Sequence, residues 1–526
     1  MKGAGLKIKL SKRELLKYAV AVFFVLTPLL SAVLFCLKDG RWINDVYIPL
    51  GGWSDEITYY KQIEGILSHG MPRGYFGYNQ SRALYGSLGV WGMVPLIPYA
   101  AWGAVAGWDY LSPLYANIFF CVLALFVLYK MLKMTEKEML MLSLFWIANQ
   151  FLNRYVLSGV VEASVIMQLI FVTACGEYLL SEKIRGRQCR EITPVKDCIV
   201  LAFCTFMVCV LTLARPYFAV LFLIPFWKCL QDGRKRCAVG LPVLAVFIMV
   251  LFFLNNHYFC ATYFNNIFLF GKMQEAGILG FFVTLFEGFI EILRLIWYAI
   301  RYKGSGVGWY YLLLAIELAV MAFVCVRCVC RHKKMPRMYI VTLTGNFLII
   351  ASIIEIYDLG VGARHILSLV IANAVLLIVE AHFSLGAVLA LICIASIVQT
   401  QGADALPYKD SEYVEYMDFL EEEFNRVVSV SGEISYSNVV AMPTADVSVQ
   451  DPEQSVCTYY GYLFAMPAGV GISLDFQDFY DVPENIKAGY ILTHPSGKIR
   501  QVLEEAGMVC IFENDDMSLY SGKISP

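Results

Sequence analysis

Apolar runs about as long as a bilayer is thick recur through the first four hundred residues of this 526-residue chain, and they constrain its fold more than any other feature. Runs near the ~20 residues needed to cross a membrane lie at about 18–37, 113–132, 158–180, 238–256, 308–327, 338–356 and 365–383, with shorter ones at about 138–152, 198–214, 216–230 and 384–401. Residues are 59% hydrophobic and only 16% charged, which excludes an ordinary soluble enzyme and a disordered chain. Two segments are ambiguous. Leu84–Ala106 is broken by Pro95, Pro98 and several glycines, and Leu279–Ile300 carries Glu287, Glu291 and Arg294.

Basic clusters at 2–17, at Lys130, Lys133 and Lys137, at Lys183–Lys196, at Lys228–Arg236 and at Arg327–Arg337 should all face the cytoplasm. That parity leaves room for only one span between residue 38 and Lys130. The span is assigned to 113–132, and 84–106 becomes a helix lying on or dipping into the outer leaflet. By the same argument 257–307 is one external loop, with 279–300 as a second membrane-surface helix. The expected fold is therefore a polytopic α-helical membrane protein of about eleven spans with outer-leaflet juxtamembrane helices. Its N-terminus is cytoplasmic and residues 404–526 lie outside the cell membrane.

Charge supports a division into 1–403, a transmembrane domain, and 404–526, an extracytoplasmic domain. The second part holds 21 Asp and Glu against 6 Lys and Arg, a net −15. The first holds 35 basic and 22 acidic residues, a net +13. The tail reads as a small α/β domain, with a helix over Ser411–Val428, strands at Glu433–Ala441, Gly489–Thr493 and Val509–Glu513, and a helix at Lys498–Ala506. Gln399–Asp410, with Gly402 and Pro407, is the linker. Most of the 16 cysteines lie in apolar runs, where a thiol acts as a small hydrophobe, and only Cys457 and Cys510 fall in the tail, where they could pair. The N-terminal run has no small-x-small cleavage site and is not a cleaved signal peptide.

The external loops collect the residues that chemistry needs. The first opens with Gly51-Gly-Trp-Ser-Asp-Glu-Ile-Thr-Tyr-Tyr60, placing Asp55 and Glu56 beside the membrane ahead of an amphipathic stretch. Paired carboxylates can divide a general base from a binding group. The same spacing also suits a helix N-cap at Ser54 or Asp55, with Glu56 meeting the dipole. Arg154 and Glu162 occupy the second outer turn, where an ionisable group is costly unless paired. A mutual pair at the interface is the simpler reading of these two. Arg215, in Leu213-Ala-Arg-Pro-Tyr217, suits either lipid headgroups or a bidentate grip on phosphate. Arg364 and His365 sit at the outer end of a span against the positive-inside trend, which favours a specific anion there.

Other motifs are weak. Cys325-x-x-Cys328-x-Cys330 with His332 overlaps the end of a span and reads as cytoplasmic thiols. No glycine-rich nucleotide loop follows a strand, and no nucleic-acid partner is expected. Asn79-Gln-Ser81 matches a glycosylation sequon.

A cytoplasmic N-terminus, one span and a long outer loop opening with Trp53-Ser-Asp-Glu56 together resemble the GT-C superfamily of membrane glycosyltransferases, bacterial type. The surface segment from Tyr85 to Tyr99, the acidic residue of the second outer turn and the C-terminal α/β domain are similar too. The resemblance implies a GT-C-like fold and transfer of a sugar from a polyprenyl-phosphate donor to an extracytoplasmic glycan, lipid or protein acceptor, among membrane lipids. It implies Asp55 as catalytic base with Glu56 as the alternate. It further implies Glu162, Arg215, Arg364, His365 and Tyr59 as substrate-binding residues, the arginines on the donor phosphate. At the second acidic position the resemblance implies binding of acceptor or donor, or of a divalent metal in the oligosaccharyltransferase branch; a metal stays open here, without an Asp-x-Asp in this turn to support it. A transporter or flippase, a glycan polymerase or ligase, and a scaffold presenting the tail are the competing classes. A transporter would place its charges at the midplane, whereas these gather on one face.

Overall fold

The computed structural model describes residues 11–46, 54–70, 75–78, 83–89, 91–188, 193–260, 271–302, 306–356, 359–380, 383–399, 414–420, 422, 439–441, 463, 466, 470–474, 488–493, 498–515 and 517–522. Helix α1 (Lys12–Leu37) starts at a capping box in which Ser11 and Glu14 each satisfy the other's backbone N–H. Its Pro28 lacks a donor, and Thr27 just before it bonds back to the Phe23 carbonyl and across to Ser143 at 2.9 Å. Ser31 reaches Asn153 at 2.7 Å. Such short polar contacts hold apolar helices together where the hydrophobic effect between them is absent.

Among the described residues every apolar run of the sequence contains a helix. Seven helices among the described residues are long and apolar enough to cross a membrane: α1, α4 (Ser112–Leu132), α7 (Glu162–Leu180), α9 (Pro194–Ala214), α11 (Lys235–Phe259), α13 (Gly306–Cys330) and α14 (Arg337–Ile356). With apolar side chains exposed along several of them, the chain is a multi-pass membrane protein. The run at 138–152 is α5 (Glu136–Ala148) and α6 (Gln150–Val156), broken at Asn149, whose side chain caps α6. The run at 216–230 is a 3-10 turn, Pro216–Phe222, leading into α10 (Leu223–Gln231). Between these groups lies the short α8 (Glu182–Arg187). The last two runs are α15 (Leu359–Glu380) and α16 (Phe383–Gln399). Helix α7 is buried along its whole length, packed by α4, α9 and α15, and forms the axis of the bundle.

Three of the basic clusters, those at Lys183–Lys196, Lys228–Arg236 and Arg327–Arg337, meet at the end of the bundle where α7 finishes. Arg187 grips Glu138 with two bonds of 2.9 and 2.6 Å, Arg185 and Lys228 both hold Asp197, and Lys334 meets Glu182. The sequence clusters thus converge on one face, and Glu162 stands at the opposite one.

Two surface segments differ from expectation in instructive ways. The segment 84–106 is helical only from Val94, through a 3-10 turn into α3 (Ile97–Ala106). Pro95 and Pro98 suit the first turn of a helix, and Leu84–Tyr85 is a strand, β2. The second, α12 (Gly271–Arg301), is interrupted by Gly277 at φ 60°, a conformation open to glycine. Gly288 packs under Ile354 in the last turn of α14, and Gly308, near the start of α13, packs against the Leu295 carbonyl. Both contacts lie at the Glu162 end, so α12 crosses the ends of its neighbours.

The tail forms a sheet, but not alone. Strands β3 (Val439–Ala441), β4 (Ile472–Leu474), β5 (Tyr490–Thr493), β6 (Val509–Glu513) and β7 (Ser518–Ser521) are joined by β1 (Tyr75–Tyr78) and β2 from the first loop. The order is β2-β1-β4-β3-β5-β7-β6. β1 pairs parallel with β4, Phe76 opposite Ile472, and β3 continues parallel on both sides. β7 runs antiparallel between β5 and β6. Helix α17 (Lys498–Glu505) matches the expected helix at 498–506, and 414–420 is helical within the expected 411–428. Tyr416 and Phe419 of that segment stack on Phe512. Cys457, Asn79, Ser81 and the linker 400–410 lie outside the described residues; Cys510 is a free thiol.

One buried pair ties the sheet domain to the first loop. Helix α2 (Ser54–His69) carries Lys61, which binds Glu64 at 2.8 Å and donates to the Met466 carbonyl at 2.7 Å. Burial lowers the Lys61 ammonium and raises the Glu64 carboxyl, and their pairing opposes both shifts. Removing one partner of such a pair leaves a buried charge, so Lys61→Ala should cost about 3–5 kcal/mol. The loss should appear as a drop in the melting temperature of purified protein. Lys61→Met with Glu64→Leu should recover most of it; failure of the double variant to recover would locate the loss elsewhere.

Candidate functional site

The turn before α7 sets the site's first carboxylate. Asn117 of α4 donates to the carbonyls of Val156 and Ser158 at 3.2 and 2.9 Å, and Tyr99 holds Asn117 at 2.5 Å. From α2, Glu56 accepts the Gly159 N–H at 2.7 Å. These bonds fix residues 156–161 so that α7 opens at Glu162, aimed along the bundle's end. Glu56 is thereby fully buried as a brace between α2 and this turn, while Asp55 beside it keeps 31% of its side chain exposed. The adjacent carboxylates do divide labour, but one of the two tasks is structural.

Two guanidiniums reach Glu162 from different helices. Arg215 ends α9 in an extended conformation because the residue before a proline is pushed out of the helical region, and this swings its side chain inward. Its Nη2 donates to Glu162 Oε1 at 3.3 Å. Arg364, in the second turn of α15, places Nε 3.7 Å from the same oxygen and Nη1 2.6 Å from Asp55 Oδ2. A chain Asp55–Arg364–Glu162–Arg215 results, two negative and two positive groups that satisfy each other where a lone charge would be costly. His365, the next residue of α15, shares a 3.2 Å hydrogen bond with Tyr217.

Trp91, which the sequence reading passed over, completes the arrangement. The Arg215 guanidinium lies 3.8 Å from its ring centroid, a stacking contact of about 1–2 kcal/mol when desolvated. Its edge meets His365 at 5.9 Å. A buried tryptophan in a loop has no periodic signal; a Trp followed by Gly92 in an otherwise apolar segment was the only hint. Tyr217 was visible only as the residue beyond Arg215-Pro216.

All the expected site residues except Glu56 thus meet in one cluster. Tyr59 lies on α2 one turn past Asp55, with its hydroxyl buried and unpartnered among the described residues. Burial and then the Asp55 charge push its phenol up, against the pull of Arg215 and Arg364, so it remains a protonated donor. Glu162 Oε2 is likewise buried without a hydrogen-bond partner. A donor and an acceptor left open beside two guanidiniums suit a ligand rich in hydroxyls that carries an anion. A dication does not suit the place, because both carboxylates already face arginine. Among the described residues no three His, Cys, Asp or Glu side chains gather as a metal site requires.

No family model matches the chain. No curated protein matches it. Among solved structures it is similar to ArnT from Cupriavidus metallidurans, in the apo state and bound to undecaprenyl phosphate. The TM-score is 0.45 at 12% identity, over 96% of this chain and 98% of that one. It is also similar to the oligosaccharyltransferase AglB from Archaeoglobus fulgidus in complex with an inhibitory peptide and a dolichol-phosphate. There the TM-score is 0.48 at 12% identity, over 91% of this chain and 69% of that one. Likenesses this loose carry no weight for the function, which has to come from the side chains themselves.

Proposed function

We propose that the chain is a GT-C-type glycosyltransferase that moves a sugar from a polyprenyl-phosphate donor to an acceptor outside the cell membrane. The observation that carries this reading is the convergence of a partly exposed carboxylate, Asp55, with two buried guanidiniums at one end of a membrane bundle. Asp55 takes the proton of the acceptor hydroxyl as its oxygen bonds to the anomeric carbon. The bond from that carbon to the phosphate oxygen breaks, and the electron pair leaves on the lipid phosphate, where Arg364 and Arg215 meet the charge. One displacement inverts the anomeric carbon. Tyr59 and Glu162 offer a donor and an acceptor to sugar hydroxyls, and Trp91 keeps Arg215 in place.

Sidedness follows from the basic face. With those clusters on the cytoplasmic side, eleven crossings put the first loop, the site and the 404–526 domain outside, and β1 places loop and tail on one side in any case. Helices α3 and α12 then flank the site within the outer leaflet, where an apolar groove would take the polyprenyl chain. Purified protein in lipid nanodiscs, given a lipid extract containing polyprenyl-phosphate sugars and a mixture of cell-surface acceptors, should release free polyprenyl phosphate. Relocation of intact lipid-linked sugar across vesicles with no release would replace this reading with a flippase.

A further inference from the structure

Arg364 Nη1 and Asp55 Oδ2 stand 2.6 Å apart, a charge-assisted contact at the short end of its range. Under the proposed function the two groups have incompatible duties at that distance. A base must face the acceptor hydroxyl, and a phosphate-binding guanidinium must face the phosphate. A carboxylate presents to guanidinium the same planar pair of anionic oxygens as a phosphate does, so the two anions compete for one edge.

The partners are not equally free to yield. The Arg364 side chain is 7% exposed and lies near Glu162 on its other side, whereas Asp55 is 31% exposed in the first turn of α2. We propose that Asp55 occupies the anion seat of Arg364 whenever no donor is bound, and that the phosphate of the incoming lipid displaces it. Displacement hands the guanidinium to the leaving group and turns the carboxylate toward the acceptor in the same movement. The base is masked until the donor arrives, and donor binds before acceptor. Lipid phosphate binding is correspondingly weakened, because only the fraction of molecules with an open seat can accept it.

This inference rests on the roles assigned above to Asp55 and Arg364, and it makes a prediction that those roles alone do not. Removing the internal competitor should strengthen phosphate binding in a protein that has lost its base. With purified full-length chain and undecaprenyl phosphate as the probe, Asp55→Asn should lower Kd about tenfold. Asp55→Ser, which also suits a helix start, provides a second variant should the first fail to fold. In an Arg364→Gln background the substitution at 55 should change Kd less than twofold. An unchanged or raised Kd in both folded variants, or equal tightening without Arg364, overturns the proposal. Sugar transfer by Asp55→Asn is scored separately: a dead enzyme with unchanged Kd sinks the masking alone, and a fully active one sinks the base.

Discussion

Asp55→Asn should transfer sugar about 10²–10⁴-fold more slowly than the unsubstituted chain, the range that removal of a positioned general base gives. Asparagine keeps the size of the side chain and its preference for a helix start, so α2 and the turn it braces should persist. The substitution removes proton acceptance and the negative charge that faces Arg364, which keeps Glu162 as a neighbour. Glu56 cannot substitute for it, because Glu56 is buried against the Gly159 N–H and faces away from solvent. The check is the initial rate of polyprenyl phosphate release at saturating donor, together with an unchanged melting temperature. A rate within twofold would remove Asp55 from the chemistry.

Arg364→Gln should lower kcat/KM for the lipid donor by about 10²–10³-fold, as loss of a preorganised charge at a developing oxyanion does. It should also destabilise the fold by about 3–5 kcal/mol, because Glu162 and Asp55 share this guanidinium and would lose it together. Arg364→Lys should recover part of the stability but little of the activity: one ammonium cannot span two carboxylates that a guanidinium fork bridges. Donor titrations and thermal unfolding of both variants decide the matter. Full kcat/KM in Arg364→Gln would move the phosphate elsewhere.

The membrane part of this fold was legible because hydropathy is a local signal. Among the described residues each apolar run contains a helix, and basic residues of three clusters gather at one end of the bundle. Charge placed against the positive-inside trend singled out Arg364, an ionisable residue in an apolar turn singled out Glu162, and the fold brings the two side by side. The local reading offered Arg154 as the partner of Glu162, and Arg215 and Arg364, which approach it from helices far along the chain, left no local trace. Nothing local marked Trp91, whose role depends on Arg215 arriving over its ring. The expected helix over 84–106 ran too long, because a two-residue strand is invisible beside apolar neighbours and its partner β1 carries no alternation of its own. Lys61 resembled an ordinary solvated lysine on an amphipathic helix; only the sheet domain above it makes it buried.

The sheet that unites β1 with β4 has a consequence for how the protein is made. Phe76 and Ile472, which lie side by side, leave the ribosome about 400 residues apart, roughly 20–80 s at ordinary rates of synthesis. Throughout that interval every membrane helix can be inserted while the first loop still waits for its neighbour, its strand edge open to foreign pairing. Helix α2, which bears Asp55 at one end and rests on Met466 through Lys61, acquires this support only once Met466 has been made. The first loop is thus made long before the strand that completes its sheet, and a half-made chain in the membrane can carry Arg215 and Arg364 while Asp55 still lacks that support.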